Sequence, residues 1–313
     1  MDHSTENAVS PWRHALESTR QGLSTKLVFV VDHSGSVPGV TGTRAVVSDL
    51  GMAGTIGGGA AEQQLIERAQ AHRGDPEIIE FRHTPAEGGT LCSGLQVFAV
   101  MVLTADDEES LKSIVETLEN HRTGVIKLSP SGLDFEPGEA LPDAFADHNG
   151  SWSYSGPIGL LDTLYLVGGG HVSLAVSRLM ATLPYRIVVL DNRTGLPTFE
   201  TNSFAHEKKT VDYDEIAEHV EGGDRSWVAI MTYGHLHDRR VLEGLLEKDL
   251  AYLGLLGSKA KVAQMFAAMK EDGVDPAMFE RVHAPLGISI RSHTPEEIAV
   301  SLAAEIISVR NGA

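Results

Sequence analysis

Three consecutive glycines, at positions 168–170, directly follow the apolar run of residues 164–167. The pattern G-x-G-x-x-G is met at Gly168 and Gly170, whereas Ser173 stands in place of the third glycine. The first glycine of this pattern permits a tight turn, and the second lets the backbone approach a pyrophosphate. A helix that begins here offers free N–H groups and partial positive charge to an anion. The spacing therefore predicts a phosphate-binding turn between a strand and a helix.

An acidic residue stands about 20 positions further on, where the strand predicted from Arg186 to Leu190 ends at Asp191. In Rossmann-type folds such a carboxylate bonds a ribose hydroxyl. Asp191 favours a ligand with a free 2′-hydroxyl, but Arg193 lies close by and leaves the choice open. NAD(P) or another nucleotide is thus a candidate ligand, and His171 at the helix start could touch it. The alternatives are a domain of this shape without a nucleotide and a polar surface role for His171.

A second glycine triplet, Gly57-Gly58-Gly59, lies within a segment (residues 54–62) that resembles a strand, a turn and a helix start. Three glycines permit positive φ angles and a concave nest of N–H groups. Such a nest suits a phosphate or another oxyanion. A tight packing turn explains the same residues equally well.

Ser258 and Lys259 open another predicted helix, directly after Gly257. Lys259 could neutralise a phosphate there, because a helix N-terminus already favours an anion. A solvated lysine at a helix start is the alternative.

The second half of the chain alternates between strands and helices, which predicts a parallel sheet with right-handed crossovers. The predicted strands are 164–167, 186–190, 227–231 and 251–255, and the predicted helices are 171–182, 213–220, 238–246, 258–271 and 295–310. In the first half several strands precede each helix, which is typical of an α+β domain. Residues 129–160 are rich in Gly, Pro, Asp and Ser and resemble a connector with one hairpin. The predicted fold class is α/β, with an α+β domain and connector over residues 1–150 and a Rossmann-like parallel-sheet domain over residues 151–313.

The chain has 313 residues and a formal net charge of -18, which together suit two acidic domains. Such a charge repels phosphate backbones and anionic lipids, which disfavours nucleic acid and membrane surfaces as partners. The one cysteine excludes a disulfide or a cysteine-based zinc site within the chain. The polar, acidic first residues and apolar runs of only strand length predict a cytoplasmic protein. Among the scattered histidines, His235 and His237 could form a weak metal cluster with Asp238, although most such groups are only polar loops, so the metal ligands stay unidentified. No Ser-His-Asp order or carboxylate pair supports a catalytic site.

Several separate motifs, in both halves, resemble the XdhC/CoxI family. In the first half these are Gly35-Ser36-Val37-Pro38, Gly42-Thr43-Arg44-Ala45 and Gly54-Thr55-Ile56-Gly57-Gly58-Gly59. In the second half they are Tyr252-Leu253-Gly254-Leu255-Leu256-Gly257-Ser258-Lys259, His283-Ala284-Pro285-Leu286-Gly287 and Thr294-Pro295-Glu296-Glu297-Ile298-Ala299-Val300-Ser301. The resemblance covers nearly the whole chain in the family's order.

The family comprises accessory proteins of xanthine dehydrogenase and of aerobic carbon monoxide dehydrogenase. The resemblance implies that the chain binds molybdenum cofactor, protects it while its sulfido ligand is installed, and helps to insert it into a molybdenum hydroxylase. A non-catalytic chaperone is thus expected, with that hydroxylase and a sulfurtransferase as partners. A homodimer is expected because the first half looks small for a core of its own. Together with the glycine turns, the resemblance yields these cofactor-binding candidates: Ser36, Arg44, Gly57, Gly58, Gly59, Glu62, Cys92, Gly168, Gly170, His171, Asp191, Ser258 and Lys259.

The chain departs from the family pattern at position 60 and in the run that begins at Thr232, and Cys92 is compared with the family separately. Ala60 stands where the family usually has a cysteine, a plausible thiolate partner of molybdenum. Cys92 falls where the family often has C-G-G, and is either the remaining thiol near the cofactor or a buried apolar cysteine. In the run Thr232 to Asp238, His235 and Asp238 match the family pattern, whereas the two residues after Thr232 do not.

Two alternative functions remain open. One is an NAD-dependent oxidoreductase, which rests on the turn at Gly168 and on Asp191, with His171 or His235 as a general acid or base. The other is a divergent member that has lost cofactor handling with its cysteine and acts only as a binding partner or regulator.

Overall fold

The computed structural model describes residues 3–83, 94–148 and 151–312. Cys92 therefore lies outside the described residues. The chain divides into two compact units, one formed by Thr5–Leu160 and the other built on Leu161–Ala313. The division falls after Leu160, whereas the sequence places it after residue 150.

The first unit is α+β, as predicted. Its described helices are α1 (His3–Arg20), α2 (Gly59–Ala71) and α3 (Glu108–Glu119). Its described strands are β1 (Thr25–Gly35), β2 (Arg44–Ser48), β3 (Gly51–Thr55), β4 (Glu77–Arg82), β5 (Gly94–Leu103), β6 (Gly124–Ser129), β7 (Gly132–Pro137), β8 (Ala144–His148) and β9 (Ser151–Ile158). They form two antiparallel sheets, of order β3-β2-β1-β5-β4 and β7-β6-β9-β8.

The two faces of the five-stranded sheet are covered differently. On one face, Phe29 of β1 packs with Trp12 of α1 and with residues of α3 and the four-stranded sheet. On the other face, Val28 packs with Leu65 and Ala69 of α2. Side chains alternate between the faces of a strand, so neighbouring residues of β1 contribute to separate cores.

Residues 129–160 differ from the predicted connector, since they contain β7, β8 and β9. In β9 the aromatic residues Trp152 and Tyr154 are buried, while the serines at 151 and 153 are exposed. Alternation of this kind is typical of a strand with one solvated face. Much of the Gly, Pro, Asp and Ser content that suggests a loop belongs to the short turns and to exposed strand positions, whereas Gly156 is buried within β9.

The second unit is a Rossmann-type α/β domain, which confirms the predicted fold class. Its strands are β10 (Asp162–Val167), β11 (Tyr185–Asp191), β12 (Glu207–Thr210), β13 (Gly223–Ile230), β14 (Leu250–Leu255) and β15 (Val282–His283). Its α-helices are α4 (His171–Met180), α5 (Pro197–Glu200), α6 (Ile216–His219), α7 (His235–Leu245), α8 (Lys259–Glu271) and α9 (Pro295–Arg310). Short 3-10 helices cover Tyr213–Glu215 and Pro276–Arg281.

All six strands of this sheet are parallel, in the order β12-β11-β10-β13-β14-β15. The chain builds outward from β10 through β11 to β12 and then returns to the other side of β10 at β13. The strand order thus reverses between β10 and β13. In open α/β sheets, ligands bind in the crevice outside the carboxyl ends of the strands at such a point.

Within the described part of the chain, no helix combines the length and the apolar character that a membrane crossing requires.

Candidate functional site

The glycine turn at the carboxyl end of β10 has no room for side chains at its first two positions. Gly168 has a φ angle of 112°, and its N–H donates to the carbonyl of Leu190 at 2.7 Å. A Cβ atom on Gly168 would lie 2.7 Å from the carbonyl carbon of Met231, and one on Gly169 would lie 2.7 Å from the ring of Phe199. The turn is therefore packed against the ends of both neighbouring strands.

The third glycine, Gly170, is the N-cap of α4. Its φ of -75° is one that any residue adopts, and a Cβ atom would meet nothing within 4 Å. No side chain among the described residues caps α4, so the N–H groups of its first turn are available to a ligand. His171 is exposed at this end of the helix. The strand, the turn and the helix start follow the order that the glycine spacing predicts, and phosphate binding stays a prediction.

Asp191, at the end of β11, is bonded entirely within the protein. One oxygen accepts from the N–H of Gly169 at 2.6 Å and from Nη2 of Arg193 at 2.7 Å. The other accepts from the backbone N–H and Nε of Arg193, both at 2.9 Å. The carboxylate is fully buried, and burial raises its pKa, but the hydrogen bonds from Arg193 and Gly169 outweigh burial and lower the pKa. Asp191 therefore fixes the glycine turn as an ionised group.

Arg193 also stacks on an aromatic residue from the loop that follows β13. Its Cζ lies 4.2 Å from the centroid of the Tyr233 ring, and the other neighbour of that ring is His237, at a centroid distance of 4.4 Å. Tyr233 departs from the family pattern, so no motif in the sequence places it beside Arg193.

The run from Thr232 to Asp238, after β13, forms hydrogen bonds at the start of α7. Asp238 accepts from the N–H of Thr232 at 3.0 Å and from its hydroxyl at 2.7 Å. Burial raises the pKa of Asp238, while His235 is exposed. Across residues 3–83, 94–148 and 151–312, no group of three or more His, Cys, Asp or Glu side chains could hold a metal ion.

Ser258 and Lys259 lie at the end of β14, one strand beyond β13 and not adjacent to β10. The hydroxyl of Ser258 accepts from the N–H of Lys261 at 3.3 Å and caps α8. Lys259 is exposed. The structure therefore gives Ser258 a capping role and does not bring this pair to the turn at Gly168.

The N-terminal glycine triplet forms a nest that is filled by the protein itself. One carboxylate oxygen of Glu62, in the first turn of α2, accepts from the hydroxyl of Thr55 at 2.5 Å and from the N–H groups of Ile56 at 2.7 Å and Gly58 at 3.3 Å. Burial raises the pKa of Glu62, but these hydrogen bonds outweigh it and lower the pKa. The predicted oxyanion site is thus bonded to an internal carboxylate.

Arg44 and Ser36 do not join that nest. The Arg44 guanidinium lies 5.0 Å from the Trp12 ring and donates to the carbonyls of Gly42 at 3.1 Å and Ala8 at 3.3 Å. It is therefore on the α1 face of the sheet, whereas α2 covers the opposite face. Burial lowers the pKa of Arg44 to about 10. Ser36 is exposed in the loop after β1.

A partly buried polar network joins two of the C-terminal sequence motifs. Glu305 of α9 accepts from the hydroxyl of Tyr252 and from the N–H of Gly287, the latter at 2.8 Å. The ring of His283 stacks on Tyr252 at a centroid distance of 4.5 Å. These motif residues therefore hold the last helix on the sheet. Sequence reasoning missed Glu305, although it faces the sheet two turns after the capping box that begins α9.

A second buried link lies near the N-terminal triplet. His83 contacts the side-chain oxygen of Gln96 through Nε2 at 2.6 Å, and Gln96 donates to the carbonyl of Gly39 at 2.6 Å. Gly57 packs directly on Pro38 and Gly39. The scattered positions of these residues in the sequence give no signal of this contact.

Two protein-family models match the chain. One, described as the XdhC and CoxI family, matches residues 18–82, and the other, described as the XdhC Rossmann domain, matches residues 164–306. The first match ends within the first unit, and the second covers the parallel sheet from β10 to α9.

Two curated relatives are similar in sequence. The uncharacterised protein YqeB of Escherichia coli (strain K12) is 28% identical over 305 residues, which are 96% of this chain and 46% of YqeB. A probable xanthine dehydrogenase component of Bacillus subtilis (strain 168) is 27% identical over 147 residues, which are 47% of this chain and 42% of that protein. The chain thus spans less than half the length of either relative.

A crystal structure of a xanthine dehydrogenase from Bacillus halodurans has the same fold. The two chains superpose with a TM-score of 0.72 over 96% of each, at 20% sequence identity. At this identity the likeness concerns the fold.

Proposed function

Because the chain belongs to the XdhC and CoxI family, we propose that it is an accessory protein of a xanthine dehydrogenase-like molybdenum hydroxylase, for which it binds and helps to insert the molybdenum cofactor. One observation carries the proposal: the two family models match in chain order, and the second coincides with a Rossmann sheet whose switch-point turn has an uncapped helix. The name of the Bacillus subtilis relative supports a hydroxylase of the xanthine dehydrogenase kind as partner.

The two ends of this cargo make different demands on the protein. Its phosphate needs N–H donors, and the first turn of α4 after Gly170 offers them without a competing side chain. The nest at Gly57–Gly59 suits that phosphate poorly, because Glu62 already accepts its hydrogen bonds and carries a negative charge. We therefore assign the phosphate of the cofactor to the turn at Gly168–Gly170.

The metal end of the cargo favours a soft sulfur ligand. Position 60 carries alanine, and the one thiol of the chain is Cys92. Recruitment of a sulfurtransferase and formation of a homodimer remain predictions from the sequence.

The test uses Gly170, where a side chain fits without strain. Gly170→Asp puts a carboxylate at the N-cap, where it would accept the N–H groups of α4 and exclude an external phosphate. Gly170→Ala is the matched control, because it adds a Cβ in the same open space without an acceptor. The full chain and both variants are produced in a host that makes the cofactor, and pterin and molybdenum are measured per purified chain.

We expect cofactor in the native protein and in Gly170→Ala, and its loss in Gly170→Asp. A native protein without pterin or molybdenum, together with unchanged hydroxylase activity after deletion of its gene, would refute the accessory role. Cofactor that persists in Gly170→Asp would refute the assignment of the turn.

One observation favours a second candidate, a divergent member that binds its partner without the cofactor. Ala60 replaces the expected cysteine beside a nest already bonded to Glu62. Cofactor that appears only in an Ala60→Cys version of the protein would favour this candidate over the first.

A further inference from the structure

Arg193 and Tyr233 form a bridge across the carboxyl end of β10. Arg193 follows β11 and Tyr233 follows β13, and these two strands flank β10 in the sheet. Their stacked contact, at 4.2 Å, therefore passes over the switch-point crevice. A dinucleotide in this fold lies across the same edge, with one ribose at the acidic residue after the second strand. The bridge stands where that adenosine half would lie.

The carboxylate that would receive the ribose has no acceptor capacity left. A carboxylate offers about four lone-pair positions. In Asp191 each oxygen already accepts two hydrogen bonds, one from Gly169 and three from Arg193. A ribose diol could bond Asp191 only by displacing Arg193 from a fully buried partner.

The aromatic side of the bridge is also engaged. The Tyr233 ring has the Arg193 guanidinium at 4.2 Å and the His237 ring at 4.4 Å. His237 in turn lies 5.9 Å from the buried ring of Tyr213. A purine base would have to displace one of these neighbours to stack on Tyr233.

We propose that the Arg193–Tyr233 bridge is a specificity element that closes the crevice to adenosine dinucleotides such as NAD and leaves it to ligands that end in a single phosphate. Asp191 then anchors the glycine turn and does not bind ribose. This inference rests on the assignment of the turn at Gly168–Gly170 to ligand binding, and it names the nucleotide class that the turn rejects.

The experiment measures the binding of ADP-ribose, which carries the adenosine half and the pyrophosphate, by calorimetry on the full chain. We expect the native protein to bind ADP-ribose only at about millimolar concentration, which leaves tighter binding by a variant measurable. Arg193→Ala frees the two acceptor positions of Asp191 that the guanidinium occupies and should tighten binding by about tenfold or more, the factor that one hydrogen bond to an ionised group supplies. Tyr233→Ala leaves the Arg193–Asp191 pair in place and should tighten binding by about threefold, since only the stacking contact is lost.

The matched control is Arg310→Ala, which removes another arginine stacked on a tyrosine of the same unit, 5.6 Å from the ring of Tyr185. It should leave binding unchanged. Thermal melting establishes that each variant is folded. If Arg193→Ala does not fold, Tyr233→Ala decides, because its side chain is 52% exposed and its removal leaves the core intact.

Micromolar binding of ADP-ribose by the native protein would overturn the inference, and so would folded variants that gain nothing. Either result is separate from the cofactor analysis. A chain that carries pterin but also binds ADP-ribose would support the proposed function and refute this inference. A chain that carries no pterin and rejects ADP-ribose would count against the proposed function and support this inference.

Discussion

The two glycine turns of this protein begin alike and differ in the carboxylate that each one holds. At Gly57–Gly59 the acceptor is Glu62, from the helix that the turn itself begins, and it takes two backbone N–H groups and the hydroxyl of Thr55. At Gly168–Gly170 the acceptor is Asp191, from the neighbouring strand; it takes one N–H of the turn and pairs with Arg193. The N–H groups of the first nest are therefore bonded to Glu62, whereas those at the start of α4 stay available to a ligand. Glycine spacing identifies a backbone able to bind an anion but does not show whether the protein supplies that anion.

The largest change in the free energy of unfolding should come from the closer packing around the turn at Gly168 than around the turn at Gly58. Gly168→Ala combines a φ of 112° with an overlap on the Met231 carbonyl, and we expect a loss of about 2–5 kcal/mol in the free energy of unfolding. Gly58→Ala has open space around it, so only the backbone strain of its φ of 78° and ψ of 178° remains, about 1–3 kcal/mol. Urea unfolding of both variants measures the gap. Equal losses would contradict the close packing at Gly168.

Removing the charge of Asp191 should cost about 1–3 kcal/mol at neutral pH, because Arg193 and Gly169 lose an ionised acceptor. The pKa of Asp191 is lower in the folded than in the unfolded state. Its contribution is thus present above the unfolded pKa, near pH 4, and is lost as the pH falls through the folded pKa. Asp191→Asn should therefore weaken the loss of stability between pH 4 and lower pH. An unchanged pH profile would mean that the ion pair does not act in solution.

Glu62→Ala should cost about 1–2 kcal/mol, since the N–H groups of Ile56 and Gly58 lose their acceptor. The emptied nest should then bind inorganic phosphate, so phosphate should raise the melting temperature of this variant more than that of the native protein, which binds phosphate at α4 alone. Glu67→Ala, on the exposed side of the same helix, is the control and should show neither effect. A native protein that phosphate stabilises to the same extent would show that Glu62 does not fill the nest.

The smallest effect is expected at Gly170, where aspartate should change the stability by only a few tenths of a kcal/mol relative to glycine at an N-cap. The rise in melting temperature that phosphate causes by binding at α4 should disappear in Gly170→Asp. The melting temperature with and without phosphate measures both quantities. A large loss of stability would mean that the space beside Gly170 is occupied.

The sequence predicts those parts of this site that depend on neighbours along the chain. The turn at Gly168 follows β10 directly, and Asp191 ends the next strand, so alternation and spacing suffice to place both. The strands β12 and β15 are missed for different reasons: β12 is four mostly exposed residues, Glu207–Thr210, and β15 is only two residues long. Neither has an apolar pattern that could distinguish a strand from a loop.

Contacts between distant segments could not be predicted from the sequence. The stack of Arg193 on Tyr233 depends on β11 and β13 lying on either side of β10, which is a property of the strand order. The face of β2 on which Arg44 lies likewise depends on which helix covers which side of the sheet. The hydrogen bonds of Glu62 to the turn could have been predicted from the sequence, because an acidic residue in the first turn after a glycine triplet can reach back to the N–H groups before it.

The position of β10 also sets an order of assembly. This strand is synthesised first in its unit yet lies inside the sheet, so it gains β11 as a neighbour soon after it is made but must await β13. The N–H of Met231 closes onto Val167 only when that strand arrives. Until then one side of β10 is an unpaired edge, open to pairing with other chains. During translation the crevice is thus completed late. A nascent chain that stops before residue 230 exposes the unpaired edge of β10 where the crevice would form.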